Sequence, residues 1–105
     1  MPEREIAGVQ VDVDDEGFMT NPDQWNKEIA KVLAQEEGIS ELTDGHWQVI
    51  NFIRKDFAEK GQPPTIRRMK KVGGIATKDL YEWFPNGPAK KAARIAGLGK
   101  PQGCV

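Results

Sequence analysis

Three features of the chain predict an α+β fold: a small N-terminal β-meander packed on about five helices, with a helix-turn-helix-like core among them. Apolar and polar residues alternate from Glu5 to Val13, the pattern of a half-buried strand. From Trp25 onward apolar residues recur at helical spacing instead. Gly38, Gly61, Gly73-Gly74, Asn86-Gly87-Pro88 and Gly97 then cut that stretch into helix-sized pieces. With 105 residues and no internal repeat, low-complexity run or linker, the chain reads as one domain, 1–105, whose residues 97–105 form a mobile C-terminal arm.

Each element follows from local chemistry. Ile6, Val9, Val11 and Val13 supply the strand pattern, Ala7-Gly8 divides it into two short strands, and Asp14-Asp15-Glu16-Gly17 is a turn before Phe18-Met19. Asn21 or Asp23 caps a first helix carrying Trp25, Ile29, Val32 and Leu33 on one face and ended by Gly38. Thr43 caps a longer helix with Trp47, Ile50, Ile53 and Phe57 on its buried face and Gly61 past its end. Pro63-Pro64-Thr65 starts a short basic helix, Ile66 to Val72. Thr77 caps another, holding Leu80, Tyr81 and Phe84; Asn86-Gly87-Pro88 opens the last, through Ala96, with Gly97 at its C-cap.

Composition narrows the function classes. Hydrophobic residues make up 38% and charged residues 30%, as in folded globular chains. No apolar run approaches the roughly 20 residues of a membrane span, and Met1-Pro2-Glu3-Arg4-Glu5 leads into no signal-peptide core. A cytoplasmic protein with no membrane contact is expected. One cysteine cannot form an internal disulfide, and one cysteine with one histidine cannot hold a structural zinc; no metal site and no cofactor is expected. Net charge is only -1, but residues 1–47 carry 12 acidic and 3 basic residues while residues 48–105 carry 4 acidic and 12 basic. Either the basic half meets an anionic partner or the two halves neutralise one another in the fold.

Trp25, Trp47 and Trp83 occupy apolar-face positions and are read as packing residues. His46, in the first turn of a helix with no second histidine in the chain, is read as a surface or capping residue and not as a catalytic one. Cys104 is different. Gly97, Gly99, Pro101 and Gly103 interrupt any helix or strand around it, so the tail should run over the surface. Extended from Gly97, it carries the sulfur roughly 23 Å from the body. From the residues alone such a thiol is either a chemical tool or a passive part of a loose tail.

Two resemblances bear on that choice. Residues 42–84 are similar to the helix-turn-helix domain of SOS-type repressors: a Leu42-Thr43 helix start, Phe52-Ile53-Arg54, Gly61-Gln62-Pro63-Pro64-Thr65, then two short helices. A DNA-binding regulator is therefore the alternative reading, with Thr77–Trp83 as recognition helix. Asp79 and Glu82 on that helix carry the wrong sign for phosphate, and only Lys78 offers a cation.

The second resemblance covers nearly the whole chain. Phe84-Pro85-Asn86-Gly87-Pro88-Ala89-Lys90, then Arg94-Ile95-Ala96-Gly97-Leu98 and Lys100-Pro101-Gln102-Gly103-Cys104-Val105, resemble the carboxyl-terminal signature of the DsrC/TusE family of sulfur-relay proteins. Asp15 to Phe18, the Trp25 region, Leu42 to Trp47 and Pro64 to Arg67 resemble family positions too. The family pattern has a second cysteine where this chain has Ala93, and a proline where it has Gly99. The chain thus resembles a single-cysteine, TusE-like variant, in which no internal bridge to Cys104 can close and oxidation can only join two molecules.

The resemblance implies a sulfurtransferase-type carrier rather than a stand-alone enzyme. Cys104 is its persulfide-bearing residue, and the sulfur passes to a partner by thiol exchange in tRNA thiolation or in dissimilatory sulfur metabolism. Lys90, Arg94 and Lys100 are placed to stabilise the thiolate or persulfide anion, and Gly103 removes bulk next to the sulfur. The same basic residues also suit a solvated helix end and tail. The implied partners are sulfur-donor and sulfur-acceptor proteins, sulfite reductase subunits or a tRNA thiolase among them.

Overall fold

The computed structural model describes residues 3–100. Strand β1 (Glu3–Ile6) pairs antiparallel with β2 (Val9–Asp12), Ile6 opposite Val9 and Glu3 opposite Asp12. The two-residue link is Ala7-Gly8, both at positive φ (52° and 81°). This is the hairpin geometry whose twist matches the strands. The meander is completed by a single bridge, Val13 to Met19, rather than a third strand. Asp14 shapes the intervening turn, its Oδ1 accepting from the Glu16 and Phe18 amides at 2.9 Å each. Ile6, Val11, Val13, Phe18 and Met19 are buried from this unit.

The five expected helices are present, with the starts of two of them moved. Asn21 caps only a 3-10 turn, Pro22–Gln24, and Asn26 caps helix α1 (Lys27–Glu36), its side chain accepting from the Ile29 amide at 2.9 Å. Trp25 therefore sits between turn and helix, and neither Asn21 nor Asp23 starts α1. Pro22 suits the single turn that Asn21 starts, and Asn26 is an equally good cap, so local chemistry alone does not choose between the two starts. Helix α2 (Asp44–Lys60) ends at Gly61 with φ 79°. Helix α3 (Ile66–Lys71) is capped by Thr65, whose Oγ1 accepts from the Arg68 amide. Helix α4 (Thr77–Trp83) has Ala76, not Thr77, at its N-cap, with Thr77 as first helical residue. Helix α5 (Pro88–Ile95) starts from Gly87, at φ 95°.

Helix α5 lies against α1, α2 and α4. Its buried face is Ala89, Ala92, Ala93 and Ile95, and such small side chains let neighbouring helices approach its backbone closely. Ile29, Leu33, Ile50, Ile53, Met69, Leu80 and Phe84 fill the rest of the core. Trp25, Trp47 and Trp83 pack against it half-buried, as expected. Tyr81, expected among the packing residues of α4, is 52% exposed: Leu80 and Phe84, four apart, take the inner face and turn their neighbour outward.

His46 caps as expected but is buried, at 7% exposure, not a surface group. Its Nδ1 accepts from the Thr43 amide (3.0 Å) and lies 2.8 Å from the Thr43 hydroxyl. Accepting there leaves Nε2 as the protonated nitrogen, donating to the Trp83 carbonyl at 2.8 Å. One imidazole thus starts α2 and ends α4. Asp56, the other buried polar side chain among the described residues, receives both Nε and Nη2 of Arg68 at 2.8 and 2.7 Å. That fork holds the carboxyl below its ordinary range.

Candidate functional site

The signature segment builds a helix end with unusually full satisfaction of its carbonyls. Gly97, at φ 75°, turns the chain out of α5. Its amide donates to the Arg94 carbonyl (3.1 Å) and the Leu98 amide to the Ala93 carbonyl (2.9 Å), the paired bonds of a Schellman motif. Leu98 follows as its hydrophobic anchor and is 1% exposed. Residues 97 and 98, read from sequence as the start of the arm, are therefore part of the core. Apolar burial outweighs the glycine-rich composition at that point.

The two remaining carbonyls are taken by distant side chains. Trp25 Nε1 donates to Ile95 O at 2.8 Å, and Arg54 Nη1 donates to Ala96 O at 2.7 Å. Arg54 Nη2 also donates to Pro22 O at 3.3 Å, and its guanidinium lies 4.1 Å from the Trp25 ring centre, within cation–π range. Burial lowers the Arg54 pKa from its ordinary value, with Asp23 opposing. A Cβ on Gly97 would come within 2.5 Å of Trp25 Cδ1, so glycine is required there by contact as well as by φ.

Two of the three sequence-predicted basic residues, Lys90 and Arg94, meet at one open cleft of about 380 Å³. Glu16, Phe18, Glu36, Glu37, Lys90 and Arg94 help line it. Arg94 is not free: its guanidinium, 12% exposed, is paired with Glu36 (2.7 Å) and Glu37 (3.2 Å). Arg4 reaches Glu36 from the hairpin. The two guanidiniums hold the Glu36 carboxyl down at about 2, the Arg4 hydrogen bond being the larger cause. Lys100 Nζ stands 3.4 Å from Glu16, an exposed pair, and Lys90 is exposed on α5. At Arg94 and Lys100 the acidic half of the chain does neutralise the basic half. Ala93 is 1% exposed and faces the core. Gly103 and Cys104 lie outside the described residues.

Sequence reasoning missed Arg54. It stands one position after buried Ile53 on α2, and that signal, an arginine beside the apolar stripe, was absorbed into the repressor-like Phe52-Ile53-Arg54 stretch. The repressor-like segment itself folds into α2, α3 and α4, and α4 turns Lys78, Tyr81 and Glu82 to solvent.

Comparisons with known proteins agree with the fold. The family described as "DsrC like protein" matches residues 5–105. The chain is 37% identical over 105 residues, all of both chains, to the gamma subunit of dissimilatory-type sulfite reductase of Nitratidesulfovibrio vulgaris. It is 40% identical to the sulfurtransferase TusE homolog of Haemophilus influenzae, over 95% of this chain and 97% of that one. The solution structure of DsrC from Allochromatium vinosum superposes with a TM-score of 0.80 at 42% identity, covering 98% of this chain and 97% of that one.

Proposed function

The chain belongs to the DsrC family, and from that premise we propose that it is a sulfur-relay protein whose Cys104 carries sulfane sulfur as a persulfide between a donor and an acceptor protein. The observation that supports this reading most is the signature from Phe84 to Val105, which contains the only thiol of the sequence. Relatives named sulfurtransferase TusE and sulfite reductase gamma subunit support a relay role. None of these relatives is named as a DNA-binding protein, and nothing in the comparisons supports a regulator.

The chemistry is thiol exchange. The Cys104 thiolate attacks the outer sulfur of a donor persulfide, R–S–S⁻; the donor S–S bond breaks, a new one forms at Cys104, and the donor leaves as a thiolate. No net oxidation occurs. Delivery to an acceptor thiolate repeats the step, with Cys104 as leaving group. Because the body ends at Leu98, the sulfur has six residues of tether, a reach of roughly 20 Å. Lys90, and Lys100, whose exposed pair with Glu16 holds it only weakly, are the cations proposed to favour the anionic sulfur, with Gly103 leaving it unhindered. Arg94, committed to Glu36 and Glu37, serves the site by fixing the helix from which the tether starts.

The test uses the full chain and a cysteine desulfurase charged with L-cysteine as persulfide donor. A gain of about 32 Da on the peptide containing Cys104 is expected. Absence of the adduct, or an undiminished adduct in Cys104→Ser, refutes the reading.

A further inference from the structure

We propose that Trp25 and Arg54 are positioning residues for the relay: together they fix the point and the direction in which the Cys104 tether leaves the body. The inference rests on the carrier reading above for its purpose, but its geometry stands alone. The Schellman bonds already complete the turn at Gly97 and Leu98. What they leave open, the carbonyls of Ile95 and Ala96, is closed by donors 70 and 42 residues away in sequence.

The choice of donor is informative. Arg4, Arg68 and Arg94 each meet a carboxylate. Arg54, half-buried, meets no carboxylate within ion-pair distance among the described residues; its two Nη groups go to the carbonyls of Ala96 and Pro22. Desolvating a guanidinium without an anion is unfavourable, and a planar fork is what one carbonyl on each of two segments needs. The indole stacked beneath the fork then fills the space a Gly97 Cβ would take. Helix α2, the Pro22–Gln24 turn and the end of α5 are thereby locked at one point, and Leu98 is set in the core. Lys100, two residues on, is directed to Glu16 on the Asp14–Gly17 turn. A tether with a fixed root samples one side of the body, which shortens the search for a docked partner's sulfur.

The experiment places a nitroxide on Cys104 in the ¹⁵N-labelled full chain, where no other cysteine competes, and maps amide broadening. In the wild-type chain it should centre on the Asp14–Gly17 turn. Arg54→Met and Trp25→Phe should spread the broadening to other faces and speed hydrogen exchange at the Leu98 amide about tenfold to a hundredfold. The Ile53 amide should change less than threefold. Arg54→Lys should not rescue, since a point charge cannot bridge Ala96 and Pro22. Unchanged broadening and Leu98 exchange in both Arg54→Met and Trp25→Phe would overturn the proposal. A rise of equal size at Ile53 would too, because it marks general destabilisation. Persulfide loading of the wild-type chain is measured separately, so a chain that never loads refutes the carrier reading and leaves the clamp standing.

Discussion

Gly97→Ala perturbs the root of the tether at its tightest point, and the structure sets the size of the effect. At φ 75° an alanine takes on the left-handed penalty, about 1 kcal/mol. Its Cβ would stand 2.5 Å from Trp25 Cδ1 and 2.7 Å from Trp25 Cβ and Cγ, an overpacking that costs about 1–3 kcal/mol. The indole cannot yield freely, because its Nε1 is bonded to Ile95 O and Arg54 covers its ring. The expected loss is about 2–4 kcal/mol, a large share of the ~5–15 kcal/mol typical of a domain this size. Urea unfolding followed by tryptophan fluorescence reads it as a midpoint lowered by about 1–3 M. Gly99→Ala is the internal control. A Cβ there meets nothing within 4 Å among the described residues, so a change within about 0.5 kcal/mol is expected. Equal stability of the two variants would refute the packing argument at Gly97.

Further expectations follow from the same structure. Leu98→Ala, at a fully buried anchor, should cost about 2–4 kcal/mol in the same urea assay; a loss under 1 kcal/mol would mean the root is not held. His46→Ala should cost about 1–3 kcal/mol, since it removes both the cap on Thr43 and the bond to Trp83 O. His46→Gln, which can restore the capping box, should recover part of that; no difference between the two would contradict the capping role. Glu36 is held near 2 by Arg4 and Arg94, below its ordinary 4.5. The stability it adds over Glu36→Gln should be full above pH 4.5 and vanish as pH falls towards 2; a gap constant from pH 6 to 2.5 would contradict the assignment. Ala93→Cys puts a second thiol into the core, and native-state labelling should show it reacting at least tenfold more slowly than Cys104.

The elements were legible where local chemistry decides them. Thr43 and Gly61 bracket α2 and Pro88 opens α5, because caps, glycine at positive φ and proline at a first turn act within a few residues. Trp25 was misplaced for the same reason: Asn21 and Asn26 are both good caps, and only packing against Ile95 and Gly97 selects the second. Burial of His46 and the commitment of Arg94 to Glu36 and Glu37 depend on partners 37 and 57–58 residues away, which spacing does not reveal. Leu98 shows the limit from the other side. Its neighbours Gly97 and Gly99 mark a loose segment, yet one buried leucine ends the body after, not before, the glycine.

As a carrier, Cys104 should both take and give sulfur. The most direct measurement loads the full chain with polysulfide, removes the excess, adds a protein with a single accessible thiol as acceptor probe, and follows both intact masses with time. About 32 Da should leave the Cys104 peptide at the rate it arrives on the acceptor, and Cys104→Ser should neither load nor transfer. An adduct that stays on the chain while the acceptor gains nothing, or one that transfers as well from Cys104→Ser, would contradict it.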